Sequence, residues 1–266
     1  VTVDADWIAA RIDDPAVRLV EVDVSRAAYD EGHIPGAVLW NAYTDLRDAD
    51  YRPVGQAQLG DLFSRSGITP ETTVVTYGYA APLGFMLLQA QGHANARLLV
   101  GPREQWARAG NKWSTDAPEP AESVYPPPRQ DARVIASLQA VEAAIADPAQ
   151  RLLDVRSEAE YRGERFWPSG ATEDAGRAGH VPDALSVPID VLRSENGMLK
   201  DPADLRRVLE RAGVHEDDTL IVYCTIGNRA SEAWFALTHV LDYRDVRVYY
   251  GSWAEWGKTT GTPVAS

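Results

Sequence analysis

Short runs of β-branched and aliphatic residues recur along this chain, each followed by a stretch whose apolar positions fall at helical spacing. Val20–Val24, Val74–Tyr77, Arg151–Val155 and Leu220–Tyr223 read as strands; Ala136–Ala146, Pro202–Ala212 and Ser231–Leu241 read as helices. Strands that alternate with helices predict an α/β fold built on a mostly parallel sheet with helices on both faces. Such sheets bind ligands at the carboxyl ends of their strands.

The pattern is written twice. "LVEVDVSRAAYDEGHIPGAV" from Leu19 is answered by "LLDVRSEAEY…AGHVPDAL" from Leu152, "TTVVTYGY" by "DTLIVYCT", and "GPREQW" by "GSWAEW". The order is the same in both halves, which predicts two copies of one domain. Asp23 pairs with Asp154, His33 with His180, Gly78 with Cys224 and Trp106 with Trp256. The large change in spacing falls between the first two pairs, which locates an insertion within Tyr161–His180, and elsewhere the halves stay nearly in register. "STDAPEPAESVYPPPRQ" is rich in Pro and Glu without an apolar period and reads as an extended connection. The expected organisation is therefore an N-terminal domain over 1–115, a linker over 116–130 and a C-terminal domain over 131–266.

Two copies permit a subtraction. Residue types shared by both halves are most simply explained by folding, and those confined to one half are candidates for chemistry. His33 and His180, Asp23 and Asp154, and the paired tryptophans fall in the first class. Cys224 against Gly78, "CTIGNR" against "GYAAPL", Arg156 against Ser25, and the inserted "RGERFWPSGATEDAGRA" fall in the second.

Composition narrows the choices. The 266 residues carry a net charge of −13, which argues against nucleic acid and anionic membranes as partners. No run approaches the length of a membrane span, and the N-terminus lacks a basic-then-apolar leader pattern, so the expected location is the cytoplasm. The sequence begins at Val1, which leaves open an initiator Met or a removed presequence. The histidines do not fall at metal-ligand spacing and no dinucleotide-binding glycine pattern follows a strand, so neither metal nor cofactor is expected. A monomer or weak homo-oligomer is expected.

The single cysteine excludes an intramolecular disulfide, leaving Cys224 as a packed apolar residue or a reagent. Its place at the end of a strand, before a loop with Gly227 and a helix expected from about Ala230, favours the reagent. Backbone N–H groups at a helix start form an anion cradle. A free thiol has a pKa near 8.5; bringing it to about 6.5 needs roughly 2.7 kcal/mol, within reach of several oriented amides and one arginine. Gly227 permits left-handed backbone, Ser231 is expected to cap the helix, and Arg229 is expected either to hold loop carbonyls or to face an anionic substrate. Four residues separate Cys224 from Arg229, a tighter ring than the five used by cysteine-dependent phosphatases.

The paired "GHIPGA" and "GHVPDA" turns, "LLDVRSEAEY" with its insertion, "VYCTIGNRAS" and "VYYGSWAEWG" together resemble the rhodanese family, in particular its tandem-domain bacterial thiosulfate sulfurtransferases. The resemblance covers nearly the whole chain and implies two rhodanese-like domains, the first a catalytically degenerate copy. It further implies a persulfide on Cys224, formed from thiosulfate and discharged to cyanide or a thiol acceptor, within a cradle of Thr225, Ile226, Gly227, Asn228 and Arg229. Arg156 matches the arginine of the family's "DVR" segment, either as a substrate contact or as a structural ion pair. Glu160 falls at a position where the vertebrate enzyme uses an arginine for the anion, and Asn228 replaces a loop glutamate of close relatives. The charge of Arg229 favours thiosulfate over mercaptopyruvate as donor. The alternatives are a mercaptopyruvate sulfurtransferase, a persulfide carrier or redox sensor, and a cysteine-dependent phosphatase or arsenate reductase.

Overall fold

The valine-rich runs form the centres of two five-stranded sheets. In the computed structural model, which describes residues 1–266, the chain divides into a first unit of Val1–Ala49 with Pro53–Asp131 and a second of Asp50–Arg52 with Ala132–Ser266. The first sheet contains β1 (Thr2–Val3), β2 (Val17–Asp23), β3 (Val38–Asn41), β4 (Thr73–Tyr77) and β5 (Ala96–Leu99), in the order β1-β5-β4-β2-β3. The second contains β6 (Ile135–Ala136), β7 (Gln150–Asp154), β8 (Leu185–Ser186), β9 (Thr219–Tyr223) and β10 (Val246–Tyr249), in the order β6-β10-β9-β7-β8. The two orders are the same permutation, and the pairings in both sheets are parallel.

Parallel sheets covered on both faces require apolar residues on both sides of the strand. Val20, Val22, Val74 and Val75 in the first sheet, and Leu220, Ile221 and Val222 in the second, are fully buried. The predicted strand over Val20–Val24 stops at Asp23, whose carboxylate accepts the N–H groups of Val24 and Ser25 and turns the chain out of the ladder. Helix Leu138–Ile145 starts where Ser137 accepts the Ala140 N–H, and helix Pro202–Arg211 where Asp201 accepts those of Ala203 and Asp204. The helix expected at Ser231–Leu241 begins earlier, at Asn228, and passes after Phe235 into a π-helical turn over Ala236–Val240. No helix is long and apolar enough to cross a membrane.

Residues 115–131 form no helix or strand. They do not hang free, because Ser123 donates to the carbonyls of Ser64 and Ile68 and the Tyr125 ring meets Phe63 edge-on. The paired histidines are structural in both halves: His33 stacks on Tyr29 and bonds the carbonyls of Tyr29 and Asp116, and His180 stacks on Tyr161 and bonds its carbonyl.

Each half buries the carbonyl of the glycine before that histidine, and each satisfies it with a guanidinium from a different place. In the second unit the group is Arg156, which pairs with Asp154 at 2.6 Å and donates to the Gly179 carbonyl at 2.6 Å. In the first it is Arg103, which donates to the Gly32 carbonyl and pairs with the buried Glu21 at 2.9 Å. Arg156 and Asp154 are fully buried, with the guanidinium 4.4 Å from the Trp253 ring. Arg156 is thus held in a fully buried ion pair. Arg156→Ala should therefore lower the unfolding free energy in urea by about 3–5 kcal/mol, because it strands the Asp154 carboxylate in the core.

Candidate active site

Cys224 directly follows β9 and opens the turn into helix Asn228–Phe235. The chain reverses there because Gly227 adopts φ +88°, a left-handed conformation that a side chain would strain. With the turn so closed, the Gly227 N–H donates to Cys224 Sγ at 3.1 Å. The residue is only 1% exposed. Its sulfur, though buried, faces a backbone N–H dipole and not a wholly apolar wall.

A second short helix braces the loop. The N–H groups of Trp253 and Ala254, at the start of helix Ser252–Trp256, donate to the carbonyls of Cys224 and Thr225 at 2.9 Å each. The Cys224 N–H bonds Ser252 Oγ at 3.3 Å, and that hydroxyl donates to the Tyr249 carbonyl at 2.8 Å. Ser252 is fully buried with φ +54°, an uncommon conformation for a residue with a side chain. In the first unit the equivalent left-handed residue is Gly101, one position earlier.

The residues expected to form the cradle lie together in this turn, and the N–H among them that bonds the sulfur is that of Gly227. Thr225, Ile226, Gly227 and Asn228 are buried in the turn, and Asn228 and Arg229 already belong to the helix. Arg229 holds side chains in place of loop carbonyls. Its two terminal nitrogens reach the two carboxylate oxygens of Glu160 at 2.8 Å each, and one also donates to Thr225 Oγ1 at 2.6 Å. Thr225 Oγ1 donates to Glu160 Oε1 at 2.6 Å, closing a ring of three side chains. Ser231 is not the helix cap either; it lies one turn inside and its hydroxyl donates back to the Gly227 carbonyl.

Glu160 is the member that sequence reasoning missed. It belongs to helix Glu158–Tyr161, where it completes a capping box with Ser157, and it is fully buried. Burial alone would raise its pKa, but the hydrogen bonds and charge of Arg229, with Thr225 and Ser157, bring it down to about 2. Burial likewise opposes the charge of Arg229, and its bonds to Glu160 together with the proximity of Cys224 raise its pKa on balance. The positive charge that the sequence assigns to an incoming anion is thus already answered by a carboxylate. Of the inserted segment, Arg162 pairs with Glu158 on the surface, while Arg177 bonds the carbonyls of Trp256, Gly257, Thr259 and Thr262 and pins the far end of the bracing helix.

Two copies of the rhodanese-like domain match this chain, over residues 4–109 and 137–259. The chain belongs to the rhodanese family. A Mycobacterium bovis protein named "Putative thiosulfate sulfurtransferase SseA" is 38% identical over 99% of this chain and 90% of its own length. The sulfur carrier protein TtuD of Thermus thermophilus is 36% identical over 100% of this chain and 96% of its own. The solved structure of EanB superposes on all of this rhodanese and on 69% of that chain with a TM-score of 0.88; at 23% identity it shares the fold alone. Relatives named for sulfur transfer and sulfur carriage make this chain a sulfurtransferase homologue.

Two measurements check the site. Because the Glu160 pKa lies below its ordinary value of 4.5, the folded state binds that proton less tightly than the unfolded chain; the stability it brings is complete above about pH 4.5 and is lost as pH falls through about 2. Urea titrations should show Glu160→Gln less stable than the unaltered protein by up to about 3 kcal/mol at pH 7, with the difference closing towards pH 2. Gly227→Ala, forced into left-handed backbone, should lose about 1–2 kcal/mol of stability and at least tenfold in the rate at which Cys224 is alkylated by iodoacetamide.

Proposed function

We propose that this tandem rhodanese moves a sulfane sulfur from thiosulfate to cyanide or a thiol through a persulfide on Cys224. The observation that supports it most directly is the Gly227 N–H on Cys224 Sγ at 3.1 Å, in a loop that leads into a helix start. A preorganised dipole aimed at sulfur stabilises both the attacking thiolate and the persulfide it becomes. Cys224 thiolate attacks the outer sulfur of thiosulfate; a new S–S bond forms as the old one breaks, and its electron pair leaves with sulfite. The acceptor then attacks the terminal sulfur and the Cys224 thiolate departs. Both steps are displacements, and no redox partner is required.

The first domain acts in this reading as a non-catalytic copy. Gly78 stands where the second domain has its thiol, and no other cysteine exists in the chain. The cytoplasm and a monomeric or weakly associated state complete the proposal. A carrier reading draws on the relative named as a sulfur carrier, and turnover separates the two.

Mass spectrometry after thiosulfate treatment should show a single 32 Da adduct, about the mass of one sulfur atom, on Cys224, absent from Cys224→Ser. With cyanide added, sulfite release should continue over many turnovers. Release of one sulfite per chain and no more would favour the carrier, and absence of the adduct would overturn the sulfur-transfer reading.

A further inference from the structure

The ring of Glu160, Thr225 and Arg229 bears on which donors this site takes, an inference that rests on the persulfide reading above. The geometry points to Glu160 as the specificity-determining residue of the loop: by closing on Arg229 it cancels the only cationic side chain of the cradle, so sulfane donors are admitted without regard to their charge.

Several independent observations support this assignment. Arg229 is the sole cationic residue of the six-residue loop Cys224–Arg229. Its side chain is 17% exposed and that of Glu160 is fully buried, so neither charge is dispersed by bulk water. The contact is bidentate, the strongest arrangement a guanidinium and a carboxylate make, and Thr225 Oγ1 bridges both partners. Asp154, the other buried carboxylate at the carboxyl end of this sheet, is closed in the same way on Arg156. What remains on the sulfur side of the loop is the Gly227 dipole, which stabilises one sulfur anion whatever group that sulfur arrives on. The residue before the stacked tyrosine is Glu160 in the second domain and Ala28 in the first, so the carboxylate accompanies the thiol.

Two donors separate charge from reactivity. Thiosulfate arrives as a dianion and releases sulfite. The hydropersulfide of 2-mercaptoethanol, in its protonated form, arrives uncharged: Cys224 thiolate attacks its terminal sulfur, the donor S–S bond breaks, and its electron pair leaves on the mercaptoethanol thiolate while the proton stays with the transferred sulfur. The charge on the donor is the main variable that an altered loop charge can read.

Glu160→Gln is the fitting variant, since glutamine also completes a capping box with Ser157 and leaves Arg229 with an unanswered charge. The apparent second-order rate of Cys224 persulfide formation, read by quenched mass spectrometry, should rise for thiosulfate relative to the hydropersulfide by about tenfold, the size expected for one added unit charge in a partly screened site. Glu160→Gln combined with Arg229→Gln should bring the ratio back to that of the unaltered protein. A merely structural role for Glu160 would slow both donors together. An unchanged ratio in the single variant, or a raised ratio that persists in the double variant, overturns the assignment. A further readout needs no variant: in the unaltered protein the thiosulfate rate should not fall as ionic strength is raised, and a steep fall would reveal an uncancelled cation and overturn it equally. If neither donor places sulfur on Cys224, it is the sulfur-transfer reading itself that fails.

Discussion

The second domain's loop is organised around one constraint: a polar backbone group must be held on the sulfur of a nearly closed turn. The bond from the Gly227 N–H to Cys224 Sγ meets that constraint directly, and the rest of the local structure exists to keep the bond aligned. Left-handed Gly227 turns the chain. Trp253 and Ala254 fix the carbonyls of Cys224 and Thr225, and Ser252 fixes the Cys224 amide. Glu160 and Arg229 fix the far side of the loop through Thr225. Each support comes from a different segment of the chain, which is why the site depends on the complete fold of its domain and not on the loop sequence alone.

Those supports are also mostly buried and neutral in sum. A buried carboxylate against a buried guanidinium contributes little net stability, because desolvation offsets most of the Coulombic gain. Its value lies in geometry: two parallel hydrogen bonds set an orientation that a single apolar contact would leave loose. The Asp154–Arg156 pair orients the neighbouring strand end in the same manner, and there the added contact with the Trp253 ring ties it to the bracing helix.

Much of this was legible from the residues. The repeat exposed two domains, the valine-rich runs located the central strands, and the subtraction of one half from the other isolated Cys224 and its loop. What escaped were pairings between segments distant in sequence. Glu160 and Arg229 are 69 residues apart, and no local period or propensity joins them. Set against an arginine position, Glu160 reads as a loss of positive charge, when it is the partner that fixes Arg229. The structure supplies the missing alignment: the residue before the stacked tyrosine is Ala28 in the first half and Glu160 in the second, and Pro102 stands where the second half has Ser252. Ser231 illustrates the opposite failure: its residue type suggested a helix cap, but the left-handed glycine four residues earlier took that position.

The different origins of the two guanidiniums, Arg103 in one half and Arg156 in the other, carry a consequence for ancestry and engineering. With Glu21 buried in the first sheet against Arg103, the space above Gly78 is closed: a Cβ there would lie 2.9 Å from the Val22 carbonyl oxygen and 3.0 Å from Cγ of Glu21, on backbone at φ +98°. Transplanting the reactive hexapeptide into the first half would meet that plug before it met a donor. The divergence of the two copies is thereby locked by packing, and reversing it takes coordinated changes at sites scattered along the chain.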